Sequence, residues 1–89
     1  MQESYLEVTF RRGHPVAAYY YLPRLPGQRS HRTVPAGPGI LIDFGRDGLP
    51  IGIELTAPGK VSLEEVNRVL RDLGLEPMGH ADFAPLRAA

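Results

Sequence analysis

The sequence predicts an α+β domain, in which a four-stranded antiparallel β-meander carries one C-terminal α-helix on one face. Three observations lead to this prediction: two pairs of segments have apolar side chains at every second position, an Asp-Gly dipeptide joins the second pair, and a capped segment with helical spacing follows. Period-two alternation is typical of a strand with one buried face, and spacing of three and four residues is typical of an amphipathic helix. The strands are expected at about 5–11, 16–22, 39–44 and 50–57, and the helix at about 62–73.

The first two strands are predicted to form a hairpin around Gly13. Apolar side chains alternate with other residues over 6–10 and again over 16–22. If Phe10 lies opposite Val16, both apolar sets share one face, because a shift of one residue would move a whole set to the other side. Two tyrosines of the second strand then lie on the opposite face.

The second hairpin has the strongest turn signal in the chain. Apolar residues alternate over 40–44 and 51–55, on either side of an Asp-Gly dipeptide at 47–48. Asp-Gly is favoured in tight hairpins, because it adopts positive φ at little steric cost. Placing Phe44 opposite Ile51 brings the isoleucines of both strands to one side of the sheet, beneath the helix.

Residues 23–38 separate the two hairpins and are predicted to be a loop. This segment holds four prolines, two glycines, three arginines and no acidic residue. Proline has no backbone donor for a sheet ladder, so it is confined to edges, strand starts and turns. A short edge strand around Arg32 to Val34 remains an alternative, since loops of this length in small domains usually contain some structure.

The predicted helix begins with a capping box formed by Ser62 and Glu65, and Gly74 is placed to end it. Its apolar residues recur at helical spacing, whereas Asn67 and the charged residues are expected on the solvent face. The domain is expected to span 1–75. The segment 76–89 has no clear hydrophobic period. It is expected either to wrap the domain or to be a frayed tail.

The length and composition of the chain limit the classes of protein to which it can belong. Its 89 residues make one small domain, with a formal net charge of 0 and no cysteine. We therefore expect no disulfide framework, no membrane span, no export signal at the polar N-terminus, and a cytoplasmic location. Small domains bury a limited share of their surface, so self-association is an expected source of stability.

The segment Gly39–Leu75 resembles the YuzE-like family of small bacterial domains of unknown function. The resemblance rests on the strand at 39–44, the Asp-Gly turn at 47–48 and the strand Ile51-Gly52-Ile53-Glu54-Leu55, which leads to the helix. Upstream, where the family carries acidic residues between two strands, this chain has arginines and a histidine. The resemblance implies a small antiparallel sheet backed by a helix and no established activity. Some family members occur beside small toxin-like proteins, so the resemblance leaves an antitoxin-like or partner-binding role open.

No constellation of catalytic or metal-binding residues is apparent. His14, His31 and His80 lack the spacing of ligands that share a metal ion, so no metal and no cofactor are predicted. Asp43 and Glu54 are expected on the sheet face away from the helix. They form either a carboxylate pair for acid–base chemistry or a solvated pair near an arginine, and the second interpretation is favoured. The protein is therefore predicted not to be an enzyme.

The loop carries a local excess of positive charge. Arg24, Arg29 and Arg32 are candidate contacts for an anionic ligand or a nucleic acid. Because the net charge is zero and aromatic residues are not interleaved with these arginines, this function is the alternative prediction rather than the leading one.

The leading prediction concerns the sheet face opposite the helix. Tyr19, Tyr21 and Leu41 are expected on this face, and tyrosine is enriched at protein interfaces. The competing interpretation is that the proline-rich loop, or the tail with Phe83 and Leu86, covers this face within one chain. The sequence thus predicts a non-enzymatic interaction module that binds a protein partner or forms a homo-oligomer, with a dimer favoured.

Overall fold

The computed structural model of the protein describes residues 3–87. It is α+β, as the sequence predicts, with an antiparallel sheet and a helix against it. The elements in chain order are β1 Tyr5–Arg11, β2 His14–Tyr21, β3 Arg32–Pro35, β4 Ile40–Phe44, β5 Pro50–Leu55, α1 Leu63–Asp72 and α2 His80–Phe83, with single 3₁₀ turns at Pro58–Lys60 and Ala84–Arg87.

Within residues 3–87 the sheet has five strands, so the prediction of four is wrong in number. The additional strand, β3, lies in the proline-rich segment at the position of the alternative edge strand. Proline is tolerated in it because β3 is the outermost strand and Pro35 is its last residue. The short turn from Ala36 to Gly39 then folds β3 onto β4.

The strand order, β1-β2-β5-β4-β3, also corrects the predicted meander. Because β3 covers the outer side of β4, β2 pairs with the free side of β5. The connection between β2 and β3 crosses the ends of β5 and β4. The Leu22 N–H donates to the Ile51 carbonyl at 3.1 Å, and the His31 N–H donates to the Phe44 carbonyl at 2.8 Å.

The predicted division of faces is confirmed. Ile42 lies directly opposite Ile53, and Ile40 lies opposite Leu55, so the isoleucine-rich sets share one side. That side packs against α1 and the C-terminal segment. The buried core consists of Ala18, Tyr20, Leu22, Ile40, Ile42, Ile53, Leu55, Val61, Val66, Val69, Leu70, Met78, Phe83 and Leu86.

Both hairpins have the predicted register over their strand centres, where Thr9 lies opposite Ala17 and Asp43 lies opposite Gly52, and the register shifts by one residue only beside the turns. Phe10 lies opposite Pro15 rather than Val16, and Phe44 lies opposite Pro50 rather than Ile51. In each hairpin, a β-bulge places one additional residue in the inner strand, so two residues oppose one. The bulges lie at the hairpin ends, which is why the faces of the strand centres are unaffected.

Helix α1 begins and ends where its capping residues predict. The Glu65 N–H donates to Ser62 Oγ at 3.1 Å, and the Ser62 N–H donates to Glu65 Oε1 at 2.9 Å. Gly74 follows the helix with φ of 74°. Asn67 differs from the prediction, because it is buried rather than solvated.

Asn67 attaches the C-terminal segment to α1. Its Nδ2 donates to the Met78 carbonyl at 3.0 Å, and the Met78 N–H donates to Asn67 Oδ1 at 2.7 Å. Beyond this clamp, Phe83 and Leu86 enter the core. The C-terminal segment therefore wraps the domain on the helix side of the sheet.

None of the helices within residues 3–87 has the length and apolarity to cross a bilayer.

Candidate interaction surface

The sheet face turned away from α1 carries a cluster of tyrosines and carboxylates. Strand alternation and register bring together residues from all five strands on this side, which we call the tyrosine face. Its members are Tyr5, Glu7, Thr9, Tyr19, Tyr21, Thr33, Leu41, Asp43, Gly52 and Glu54.

Tyr19 reaches across the central strand to a buried carboxylate. Its side chain extends from β2 over Gly52 of β5, and its hydroxyl donates to Asp43 Oδ2 on β4 at 2.8 Å. The second oxygen, Asp43 Oδ1, accepts a hydrogen bond from Thr33 Oγ1 at 2.6 Å. Four adjacent strands are therefore joined by one chain of side-chain contacts above the backbone ladder.

The Tyr19 hydroxyl is held in its neutral form. Burial, followed by donation to the Asp43 carboxylate, raises the pKa of Tyr19 from 10.0 to about 12, although Arg24 opposes this shift. Ionised Tyr19 would place two negative charges in contact in a partly desolvated position. At neutral pH, Tyr19 is therefore a fixed donor.

Tyr21 is the centre of the aromatic cluster. Its ring stacks on Tyr5 with centroids 4.5 Å apart and meets Tyr19 edge to face at 4.6 Å. The Arg24 guanidinium lies 5.3 Å from the Tyr21 centroid, within the range of a cation–π interaction. The Tyr21 hydroxyl donates to Glu7 Oε1 at 3.0 Å, and this hydrogen bond raises the pKa of Tyr21.

The structure places the three sequence-predicted interface residues on the same face. Tyr19, Tyr21 and Leu41 are each half-buried, and Leu41 lies opposite Glu54. The competing interpretation placed either the proline-rich loop or the tail on this face. The loop contributes Arg24, which lies against Tyr21. Phe83 and Leu86 of the tail are buried in the core on the other side of the sheet. The tail therefore does not cover the tyrosine face.

Two members of the cluster were not among the predicted interface residues. Tyr5 begins β1 and has 46% of its surface exposed, and Arg24 follows β2 in the loop. The register of the first hairpin, which places Tyr5 opposite Tyr21, is the signal from which Tyr5 could have been found. Arg24 carried no such signal, because its position depends on the path of the loop.

The acidic pair of the sequence is not the solvated pair that was predicted. Asp43 is only 8% exposed and accepts hydrogen bonds with both carboxylate oxygens. It lies opposite Gly52, and Glu54 lies opposite Leu41. Asp43 therefore acts as a structural acceptor beneath Tyr19, while Glu54 remains half-buried on the surface of the same face.

The three arginines proposed for anion binding occupy different surroundings. Arg24 lies over the Tyr21 ring and donates to the Ile51 and Gln28 carbonyls. Arg32 lies with its guanidinium 5.1 Å from the Phe44 centroid. Arg29, in contrast, lines a solvent-open cavity of about 470 Å³ together with His31 and Arg46. Arg29, His31, Arg46 and the Asp47 carboxylate thus line one cavity, since the turn of the second hairpin lies beside the loop.

The three histidines lie in separate parts of the fold. His14 begins β2, His31 precedes β3 and His80 begins α2. Within residues 3–87, no group of three or more histidine and acidic side chains could hold a metal ion.

No family model matches this chain, and neither the curated proteins nor the solved structures contain a match to it. The resemblance to the YuzE-like family therefore stays a prediction.

Proposed function

We propose that this chain is a non-enzymatic interaction module, which binds a second protein chain or another copy of itself through the tyrosine face. The observation that carries the proposal is the cluster of Tyr5, Tyr19 and Tyr21 on the sheet face opposite the core. Tyrosine combines a large apolar area with a polar tip, so its burial against a partner is favourable even when the hydroxyl keeps a hydrogen bond.

Preorganisation of the cluster supports the proposal. Tyr19 is fixed by Asp43, and Tyr21 is fixed by Glu7, Tyr5 and Arg24. A surface whose rotamers are already restricted loses less conformational entropy when a partner binds. The carboxylates of Glu7 and Glu54 at this face favour a partner surface that carries positive charge.

Sedimentation equilibrium at low micromolar concentration and affinity capture from native lysate test this function. The Tyr21→Glu variant places a charge in the centre of the cluster, and we expect it to lose the self-association or the captured partner. Leu49→Glu is the matched control, because Leu49 is 62% exposed and lies in the β4–β5 turn. Urea unfolding establishes that both variants are folded. The proposal would be wrong if the natural protein is a monomer and the Tyr21→Glu variant captures the same proteins as the natural protein.

A second candidate function is suggested by the cavity that Arg29, His31 and Arg46 line. Two guanidinium groups outnumber the single carboxylate of Asp47 at this cavity, which favours an anionic ligand such as a phosphate group of a nucleic acid. We expect a labelled single-stranded oligonucleotide to bind with an affinity that falls steeply with salt, and the R29Q/R46Q variant to bind more weakly. Arg71→Gln, on the exposed side of α1, is the control. Binding that is absent or independent of salt rejects this function.

A further inference from the structure

The two edges of the sheet differ in how far they are protected from pairing. Edge strand β3 has four residues and ends in Pro35, which has no N–H group to donate. Edge strand β1 has seven residues and contains neither proline nor lysine, the residues that commonly block an edge. The β1 edge is therefore the side of the sheet suited to accept a further strand.

The bulge in the first hairpin leaves β1 regular. Thr9 lies opposite Ala17 and Phe10 lies opposite Pro15, so the additional residue is Val16 in β2. A bulge bends the strand that contains it and disturbs the ladder there. Because this bulge is in the inner strand, β1 keeps its alternation along its whole length.

The apolar residues of β1 are only partly covered by the chain itself. Leu6 and Val8 belong to the core side but are half-buried, and Phe10 is 47% exposed. Near the start of β1, a cavity of about 300 Å³ lies between the strand and the C-terminal segment. The cavity is lined by Leu6, Tyr20, Ala81 and Pro85 together with Ser4, Tyr5 and Asp82.

A second copy would fit this edge in an antiparallel register. All seven residues overlap only when the two Val8 residues face each other across a twofold axis. Leu6 then lies opposite Phe10 of the second copy, beside the cavity that Leu6 lines. On the tyrosine face, Glu7 lies opposite Thr9 of the second copy and diagonal to both its Arg11 and its Glu7, so one favourable and one unfavourable charge pair are offset.

We propose that two copies of this chain dimerise by antiparallel pairing of their β1 strands, with Phe10 of each copy entering the cavity beside Leu6 of the other. The pairing makes a continuous ten-stranded sheet and satisfies the open backbone groups of both edges. This inference goes beyond the proposed function, because the pairing uses the backbone edge of β1, and cross-linking at Val8, which lies on the opposite side of the sheet from the tyrosine face, tests it independently of that face.

Single-cysteine variants test the register directly, because the natural sequence contains no cysteine. In the Val8→Cys variant, the two cysteines face each other with Cα atoms about 4.5–5.5 Å apart, within the range of a disulfide. In the Thr9→Cys variant, the two positions are offset by two residues, and their Cα atoms are about 8 Å apart. Under mild oxidation we expect a covalent dimer from Val8→Cys and a much smaller yield from Thr9→Cys.

Charge substitutions at Thr9 test the same register in the uncross-linked protein. Thr9 is exposed, so the monomer tolerates the change. In the Thr9→Glu variant, the new carboxylate faces Glu7 of the second copy, and this repulsion occurs twice because of the twofold axis. Thr9→Glu is therefore expected to weaken the dimer roughly tenfold, whereas Thr9→Lys is expected to strengthen it. Thr56→Glu, an exposed threonine beyond the end of β5, is the control and is expected to have no effect.

The cavity is tested by Phe10→Ala, which is expected to weaken the dimer, with Leu49→Ala as the exposed control. A protein that stays monomeric at hundreds of micromolar would overturn the inference. A dimer that responds to Tyr21→Glu but not to the Thr9 charges would also overturn it, while supporting association through the tyrosine face. Preferential cross-linking at position 8, together with opposite effects of Thr9→Glu and Thr9→Lys, establishes the β1 pairing.

Discussion

The side chain of Tyr19 occupies the space that a side chain at Gly52 would fill. A Cβ atom built on Gly52 collides with both Cζ and the hydroxyl oxygen of Tyr19. Glycine normally weakens the interior of a strand, and it is found where another group approaches the backbone closely. Here that group is a phenol ring, and its passage over Gly52 lets Tyr19 reach Asp43 two strands away.

Replacing Gly52 by alanine is therefore expected to destabilise the fold and to displace Tyr19. The added methyl group forces the ring into another rotamer, with a cost of about 1–3 kcal/mol in the free energy of unfolding. Gly59→Ala is the matched control, because Gly59 has open space around its Cα and no positive φ. Urea unfolding measures both variants.

A double-mutant cycle identifies the cause of this destabilisation. If the collision with the ring is responsible, the cost of Gly52→Ala falls sharply in a Tyr19→Ala background, because no ring remains to be displaced. Additive costs would show that the alanine acts through the strand backbone instead.

The pKa of Tyr19 predicts a loss of stability at high pH. This pKa is about 12 in the folded protein and 10.0 as the ordinary value, so between these pH values the unfolded chain releases the proton and the folded chain keeps it. Because the unfolded state then binds fewer protons, the stabilising contribution that is complete below pH 10 is lost as pH rises towards 12. Urea unfolding of the natural protein and of Tyr19→Phe over this range measures the effect.

Asp43→Asn provides the complementary measurement. It removes the negative charge beside the Tyr19 hydroxyl, so we expect the pKa of Tyr19 to fall. Absorbance titration of tyrosinate, with Tyr19→Phe used to assign the signal, follows this change. An unaltered titration in Asp43→Asn would contradict the role of the carboxylate.

Asn67 is expected to determine whether the C-terminal segment stays docked. Asn67→Ala leaves the Met78 N–H and carbonyl without their partner in a buried position, which costs about 1–3 kcal/mol. Faster proteolytic cleavage between α1 and α2 should accompany this loss. Arg68→Ala changes the adjacent, exposed residue and should leave both stability and cleavage unaltered.

The capping box of α1 contributes measurably to stability. Ser62→Ala removes the acceptor for the Glu65 N–H and is expected to lower the free energy of unfolding by about 0.5–2 kcal/mol. Ser62→Thr should retain most of the stability, because it keeps the hydroxyl. Ser30→Ala, in the exposed loop, is the control, and an equal effect of both alanines would contradict the capping role.

Much of the fold was predictable because its signals are local. The Asp47-Gly48 turn, the capping box at Ser62 and the division of faces that joins Ile42 to Ile53 all follow from neighbours within a few residues. The placement of Tyr19 and Tyr21 on the face away from the helix followed from the same alternation. Asn67 shows the limit of such reasoning, because its polarity predicted solvent and only the returning Met78 explains its burial.

The sequence by itself determined where β1, β2, β4, β5 and α1 form and which of their side chains share a face, since alternation and capping depend on adjacent residues. Only the tertiary structure decided that β2 pairs with β5, that β3 covers the outer side of β4, and that Arg24 lies over Tyr21. These choices depend on competition among strand edges that are distant in the chain, and period-two alternation carries no information about which edge a strand will meet. The buried contact of Asp43 with Tyr19 could not be predicted for the same reason. Predicting it requires the order of the central strands, which the alternation does not contain.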